Sequence, residues 1–150
     1  MCYASEQIMS KEFEALLRSQ IGRAYYKEWQ GLFGVPDYVC FEKINNDIHI
    51  VSFELKLTDW RTAMIQAFRY RSFSDKVYVV MPEDTVLRAM AHMDQFDQYG
   101  IGLASFASGR FNILVKAKKS KPYSLNLRTK VNQRVKKSRS KSIGNLSELL

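Results

Sequence analysis

The chain has 150 residues, of which 46% are hydrophobic and 13% aromatic, enough to fill the core of one domain. No run approaches the ~18–20 consecutive apolar residues of a membrane helix, and the first turns carry Glu where a secretory signal would carry basic residues. The two cysteines, Cys2 and Cys40, have no disulfide or metal-ligand spacing. These features argue against a membrane-spanning or disulfide-stabilised protein, and we expect a reducing, cytoplasmic location.

The net charge of +8 is unevenly distributed along the chain. Residues 1–109 carry 11 Lys and Arg against 14 Asp and Glu, whereas residues 110–150 carry 12 Lys and Arg against one acid. Basic terminal segments often bind polyanions, so nucleic acid is the expected partner, and a merely solubilising tail is the alternative. Because hydrophobic periodicity is lost after Lys118, we predict a folded domain over residues 1–118 and a basic, flexible tail over residues 119–150.

The first half of the chain predicts a helix followed by strands. Residues 5–21 have apolar side chains at helical spacing, and Gly22 ends the helix. An aromatic, strand-like stretch runs to Gly34. Two predicted strands follow, and they are separated by Asn45 and Asn46, which tolerate the positive φ of a tight hairpin turn. These strands cover residues 35–44 and 47–57.

The second half predicts alternating helices and strands. Thr58 or Asp59 caps a helix whose inward stripe consists of Trp60, Ala63, Met64, Ala67 and Phe68. The later predicted elements are a strand at 76–82, a helix at 84–99, and a hairpin that turns at Ser108-Gly109. This order predicts an α/β domain with a central mixed sheet and helices on both sides.

A two-residue turn fixes the register of the first hairpin. Ile44 then pairs with Asp47, and the same register sets Asp37 opposite Glu54. Directly opposed residues lie on one face, about 4.5–5.5 Å apart at Cβ, and opposed like charges destabilise a sheet. A divalent cation bound between the carboxylates would offset that repulsion. A three-residue loop would instead turn Asp37 to the other face.

Polar residues near this acid pair extend the candidate site. Lys56 lies on the same strand face as Glu54, and a surface ion pair at a frayed strand end is the simpler explanation for both. The Pro-Asp turn, the hairpin and the following helix together favour a functional site. Gln66 and Tyr70 lie one turn apart on that helix and share a face, although border packing alone explains them equally well.

The order and spacing of these motifs resemble those of a known family. Pro36-Asp37, sixteen residues, and then Glu54-Leu55-Lys56 resemble the PD-(D/E)xK motif of the restriction-endonuclease-like nucleases. The segment from Gln66 to Tyr70 is similar to the Q-x-x-x-Y motif of the RecB-like and Cas4-like branch. The resemblance covers about residues 5–117 and implies a three-layer α/β/α core with a central mixed β-sheet.

The resemblance also implies a metal-dependent nuclease, with DNA as the favoured substrate in repair, defence or mobile-element biology. Asp37, Glu54 and the backbone carbonyl of Leu55 would then bind Mg²⁺ or Mn²⁺. Lys56 would orient the attacking water or stabilise the transition state.

Further implications concern supporting residues and partners. Gln66 and Tyr70 would support the site or contact DNA. Some family members use another acid from the first helix, where Glu12 and Glu14 are available. The small size implies dependence on a homodimer or a partner protein. The alternative function is a DNA-binding or complex-assembly module that keeps the fold without cutting, but the intact Asp, Glu and Lys set favours the enzyme.

Overall fold

The structure is a computed structural model that describes residues 2–140 and 146–150. Within these ranges, no helix is long and apolar enough to cross a membrane. The elements in chain order are α1 (Glu6–Ile21), β1 (Tyr25–Lys27), β2 (Tyr38–Ile44), β3 (Asp47–Leu55), α2 (Trp60–Tyr70), β4 (Lys76–Pro82), α3 (Val86–Met90), α4 (Met93–Tyr99), β5 (Gly102–Ala107), β6 (Arg110–Val115), α5 (Leu125–Lys137) and α6 (Leu146–Leu149).

The six strands form one open sheet in which their spatial order follows the chain. Strands β1, β2 and β3 are antiparallel neighbours, β3, β4 and β5 are parallel, and β6 is antiparallel to β5. Parallel neighbours need a crossover connection. Helix α2 connects β3 to β4, and helices α3 and α4 connect β4 to β5. The predicted α/β class and the central mixed sheet are confirmed.

Helices cover both faces of this sheet. Phe13 of α1 packs on Phe53 of β3, with ring centroids 5.2 Å apart. Tyr70 of α2 forms a hydrogen bond with the next residue of β3, Glu54. Successive side chains of a strand point to opposite faces, so α1 and α2 lie on opposite sides of the sheet.

The β2–β3 hairpin has the predicted register. Ile44 pairs with Asp47, and the ladder continues to its last pair, Tyr38 and Phe53. Asp37 therefore stands immediately before the first paired residue of β2, at the end of the hairpin away from the turn.

Two predictions about helices were wrong. The single helix expected over residues 84–99 is divided, because α3 ends at Met90 and α4 begins at Met93. Phe68 was expected in the core, yet 41% of its surface is exposed, and Tyr70 is buried instead. The buried line of α2 runs through Ala63, Ala67 and Tyr70, which directs Phe68 outward.

The segment after residue 119 also differs from its prediction. Helix α5 begins after the N-cap Ser124, whose side chain accepts a hydrogen bond from the Leu127 amide. Val131 and Val135 lie one turn apart on this helix and are fully buried. These two valines give the basic segment a narrow apolar side, and residues 125–137 form a packed helix where the sequence analysis expected a flexible tail. Residues 141–145 of that tail lie outside the described residues.

An ion pair fastens α5 to the sheet. Arg128 Nη2 lies 2.9 Å from Asp75 Oδ2, and the two side chains are only 13% and 12% exposed. The same guanidinium donates to the carbonyl oxygens of Ile48 and Phe73, at 2.7 and 3.2 Å. Asp75 Oδ2 also accepts the Ile50 amide at 2.7 Å. Most polar atoms of this pair are therefore satisfied within the protein.

Arg128→Met should destabilise the protein by about 3 kcal/mol, because it leaves a largely buried carboxylate without its partner. The matched control is Arg134→Met on the same helix. The Arg134 guanidinium lies 5.4 Å from the ring centre of Tyr26, a contact worth at most about 1 kcal/mol at an exposed site. Urea unfolding of both variants measures the difference. Equal losses would contradict a special role for the Asp75 pair.

Candidate active site

Asp37 occupies the position where the hairpin ladder ends. Its Oδ2 accepts a hydrogen bond from the backbone amide of Leu55 at 2.7 Å. The carboxylate thus takes the place that a carbonyl of β2 would hold if the ladder continued. Pro36, just before it, has no N–H to contribute to such a ladder. The β2–β3 pairing therefore ends with an acid, at the end of the hairpin away from its turn.

The carbonyl of Leu55 points to the same side as Asp37. The Lys56 amide donates to the carbonyl of Val80 on β4, at 3.0 Å. The described chain has no cis peptide bond, and in a trans peptide the C=O of one residue points opposite to the N–H of the next. The Leu55 carbonyl is therefore directed away from β4 and toward the β2 side of β3.

Glu54 lies on the face of β3 that α2 covers, opposite to the face on which Phe53 meets α1. The Tyr70 hydroxyl donates to Glu54 Oε1 at 2.7 Å and lies 3.0 Å from the carbonyl oxygen of Val35. Only 6% of Glu54 is exposed. Gly34 has φ +79°, and a Cβ there would lie 2.9 Å from the Tyr70 ring. A glycine is therefore required for the close approach that brings Tyr70 to Glu54.

Burial raises the pKa of both carboxyl groups. For Asp37, desolvation is the largest cause, and the hydrogen bond from the Leu55 amide acts in the opposite direction. For Glu54, desolvation is again the largest cause, followed by the negative charge of Asp37, while the Tyr70 hydrogen bond lowers the pKa. The positive charge of Lys56 lowers both pKa values. The charge of Lys56 therefore favours the ionised form of both acids.

A cavity of about 420 Å³ opens beside Asp37 and Leu55. Its other walls come from the start of α1 and the end of β1. The negative charges of two wall residues, Glu6 and Glu28, further raise the pKa of Asp37. The remaining wall residues are Gln7, Ser10, Lys11 and Lys27. The cavity is polar and reachable from solvent.

The acids that the first helix offers differ from those considered in the sequence. Glu14 accepts hydrogen bonds from Tyr25 and Lys27, and Glu12 interacts with Tyr3. Neither lines the Asp37 cavity, which Glu6 does. The spacing contained a signal for Glu6, because it continues the buried line of Met9 and Phe13 at i, i+3 and i+7 beyond the core.

Gln66 lies one turn before Tyr70 on α2. Its Oε1 is buried and has no hydrogen-bond partner among the described residues. A buried amide oxygen without a donor is costly, so a group that donates to it would be stabilised here. The structure thus brings Glu54 together with Tyr70, places Asp37 and Lys56 where their charges act on Glu54, and leaves Gln66, one turn from Tyr70, with unused hydrogen-bonding capacity.

The available ligands suit a hard divalent cation. Mg²⁺ prefers carboxylate and carbonyl oxygens and keeps several waters, and Asp37, Glu54 and the Leu55 carbonyl are oxygen donors of this kind. In the described part of the chain, no group of three or more His, Cys, Asp or Glu could hold a metal ion by itself. Any cation here would therefore depend on the main chain and on water.

Comparisons of the chain with protein-family models, with curated proteins and with solved structures found no match. The interpretation of the site therefore depends on its own geometry: a half-buried and a buried acid at the ends of adjacent strands, a lysine whose charge acts on both, and a polar cavity beside Asp37.

The pH dependence of stability tests the electrostatics of Glu54. Its pKa is higher in the folded protein than in the unfolded chain, where Glu titrates near about 4.3. Between the unfolded and the folded pKa of Glu54, the folded protein binds more protons than the unfolded chain. Stability therefore falls as the pH rises through that range. Glu54→Gln keeps an acceptor for Tyr70 and removes this loss.

We therefore expect the melting temperature of Glu54→Gln, relative to wild type in metal-free buffer, to rise by several degrees between about pH 5 and about pH 8. Asp47→Asn, at the exposed start of the same strand, is the control and should show no such trend. A difference between Glu54→Gln and wild type that does not change with pH would show that Glu54 is not destabilised by its charge.

Proposed function

We propose that this α/β domain is a restriction-endonuclease-like nuclease that hydrolyses phosphodiester bonds, with DNA as the favoured substrate. The observation that carries the proposal is the arrangement of Asp37 and Glu54 at the ends of two paired strands, with Lys56 next along the chain and with the pKa values of both acids raised mainly by burial. Buried like charges cost stability, and strongly perturbed titratable groups in a cleft are typical of functional sites.

The residues present fit Mg²⁺ or Mn²⁺. Asp37, Glu54 and the Leu55 carbonyl would hold the cation. When bound, the metal lowers the pKa of a coordinated water and neutralises charge on the scissile phosphate. The raised pKa values mean that a cation must compete with protons for both carboxylates, so metal affinity should increase with pH.

The protein's own groups would orient the reactants. Lys56 would orient the attacking water or stabilise the negative charge that develops on the phosphate. Tyr70 fixes Glu54 through its hydroxyl, which keeps one carboxylate oxygen engaged and directs the other. The buried Oε1 of Gln66 would accept a hydrogen bond from a water at the site.

A second candidate function is a DNA-binding or complex-assembly module that does not cut. The observation that favours it is the basic surface of α5, which would bind nucleic acid with or without cleavage. Both candidates use the same basic surface. Helix α5 exposes Lys130, Arg134, Lys136 and Lys137, and such cations bind phosphates in a salt-dependent way.

The metal prediction concerns stability. Mg²⁺ at about 100 times its dissociation constant should stabilise the folded protein by about 2.7 kcal/mol, because it binds only that state. Asp37→Asn should remove this gain, and it should also stabilise the metal-free protein by relieving repulsion. Thermal unfolding with and without Mg²⁺ measures both effects. A variant that keeps the full Mg²⁺ response would show that the ion binds elsewhere.

The catalytic prediction concerns Lys56. Lys56→Ala should lower the rate of Mg²⁺-dependent DNA cleavage by about 100-fold or more, because the amine acts in the transition state. DNA affinity should stay within about threefold of wild type. Lys137→Ala on α5 is the matched control and should retain its cleavage rate at saturating DNA. If Lys56→Ala loses affinity together with cleavage, its amine is a binding contact.

A further inference from the structure

Exposed aromatic rings cluster on the outer side of α2. Phe68 and Tyr99 are each 41% exposed, Phe33 is 51% exposed and Tyr123 is 57% exposed. They come from four separate segments of the chain: the loop before β2, α2, α4 and the segment before α5. We call these four rings, together with Arg69 and Arg71, the α2 aromatic surface.

Phe68 lies at the centre of three of these rings. Its ring centroid is 5.8 Å from that of Tyr99 and 5.7 Å from that of Tyr123, at interplanar angles of 77° and 46°. The rings are tilted and not stacked on one another, so they do not cover each other face to face. Tyr123 is fixed in place by its backbone amide, which donates to the carbonyl of Arg71 at 3.3 Å.

Guanidinium groups lie among the rings. The Arg71 guanidinium is 5.2 Å from the ring centre of Tyr123 and 5.9 Å from that of Phe68. The Arg69 guanidinium is 5.4 Å from the ring centre of Phe33. Arg71 also donates to the Tyr99 carbonyl, which holds it in position. Cations and π-faces therefore alternate across the surface.

The groove next to these rings is also lined by aromatic and basic side chains. It has a volume of about 670 Å³, and no acidic residue is among those that line it. The lining residues are Phe33, Arg61, Met64, Ile65, Phe68, Arg69, Gln95 and Tyr99. Two arginines without an acid complement a polyanion, and flat rings complement nucleobases. The residues that line the groove include no acid that could pair with the basic side chains of a protein ligand.

We propose that the α2 aromatic surface binds an unpaired nucleic-acid strand, with bases stacked on Phe68 and Tyr123 and phosphates near Arg69 and Arg71. Bases in a duplex already stack on one another, so only an unpaired strand can offer its faces to these rings. The assignment of this strand as substrate rests on the proposed nuclease function.

Two residues of the surface are chain neighbours of residues that position Glu54. Arg69 directly precedes Tyr70, whose hydroxyl binds Glu54. Phe33 directly precedes Gly34, which lies against the Tyr70 ring. Phe33 and Arg69 are therefore chain neighbours of Gly34 and Tyr70, while the surface itself lies on the outer side of α2 and Tyr70 lies on its buried side.

The test measures binding and cleavage separately. Binding of a fluorescent, single-stranded oligonucleotide of about 16 nucleotides, and of a duplex of equal length, is measured in EDTA. The variant Phe68→Leu/Tyr123→Leu keeps an apolar surface but removes two stacking rings. Its affinity for the single strand should fall roughly tenfold or more, with a smaller change for the duplex. Leu87→Ala, 67% exposed on α3 and not among the residues that line the groove, is the control and should stay within about twofold.

The outcomes separate the two proposals. If the double variant binds the single strand like wild type, while wild type still cleaves DNA with Mg²⁺, the surface proposal is overturned and the nuclease remains. If the double variant loses single-strand binding, but wild type cleaves nothing, the surface proposal holds and the nuclease fails. Tighter binding of the duplex than of the single strand by wild type would also overturn the surface proposal. Melting temperatures verify that each variant is folded.

Discussion

The hydrogen bond between Tyr70 and Glu54 connects the two layers of the domain that carry the candidate site. It sets the rotation of α2 about its own axis, because the Tyr70 hydroxyl reaches Glu54 only from the buried side of the helix. The same rotation turns Phe68 to solvent. One buried contact thus determines both the arrangement of the acid pair and the composition of the surface outside it.

Three acids with little exposed surface in this protein have two opposite kinds of environment. Asp75 meets the Arg128 guanidinium and accepts a backbone amide, so its charge is compensated within the fold. Asp37 and Glu54 face each other's charge and have Lys56 as the nearby cation that lowers their pKa values. A compensated acid of the first kind serves the architecture. An acid pair of the second kind stores repulsion that a ligand can relieve, which is the physical basis of the functional proposal.

Local signals in the sequence predicted the parts of the fold that local interactions determine. The hairpin register follows from a two-residue turn, and the order of strands and helices follows from periodicity. The buried stripe of α2 was predicted correctly from Trp60 to Ala67, but the sequence did not show whether Phe68 or Tyr70 continues it into the core. Tyr70 decided it through a partner sixteen residues away. Helix α5 was missed because two buried valines are few among many lysines and arginines.

Helix α5 also holds the loop that leads to Asp37. Lys130 Nζ donates to the carbonyl of Gly31 at 2.8 Å, and the Tyr26 hydroxyl donates to the carbonyl of Arg134 at 3.2 Å. Helix α5, near the C-terminal end of the chain, therefore secures one of the first segments to be made. During synthesis, which releases the N-terminal part first, that loop lacks these two contacts until the ribosome has released residue 134. A nascent chain accordingly carries the acids long before it carries a finished site.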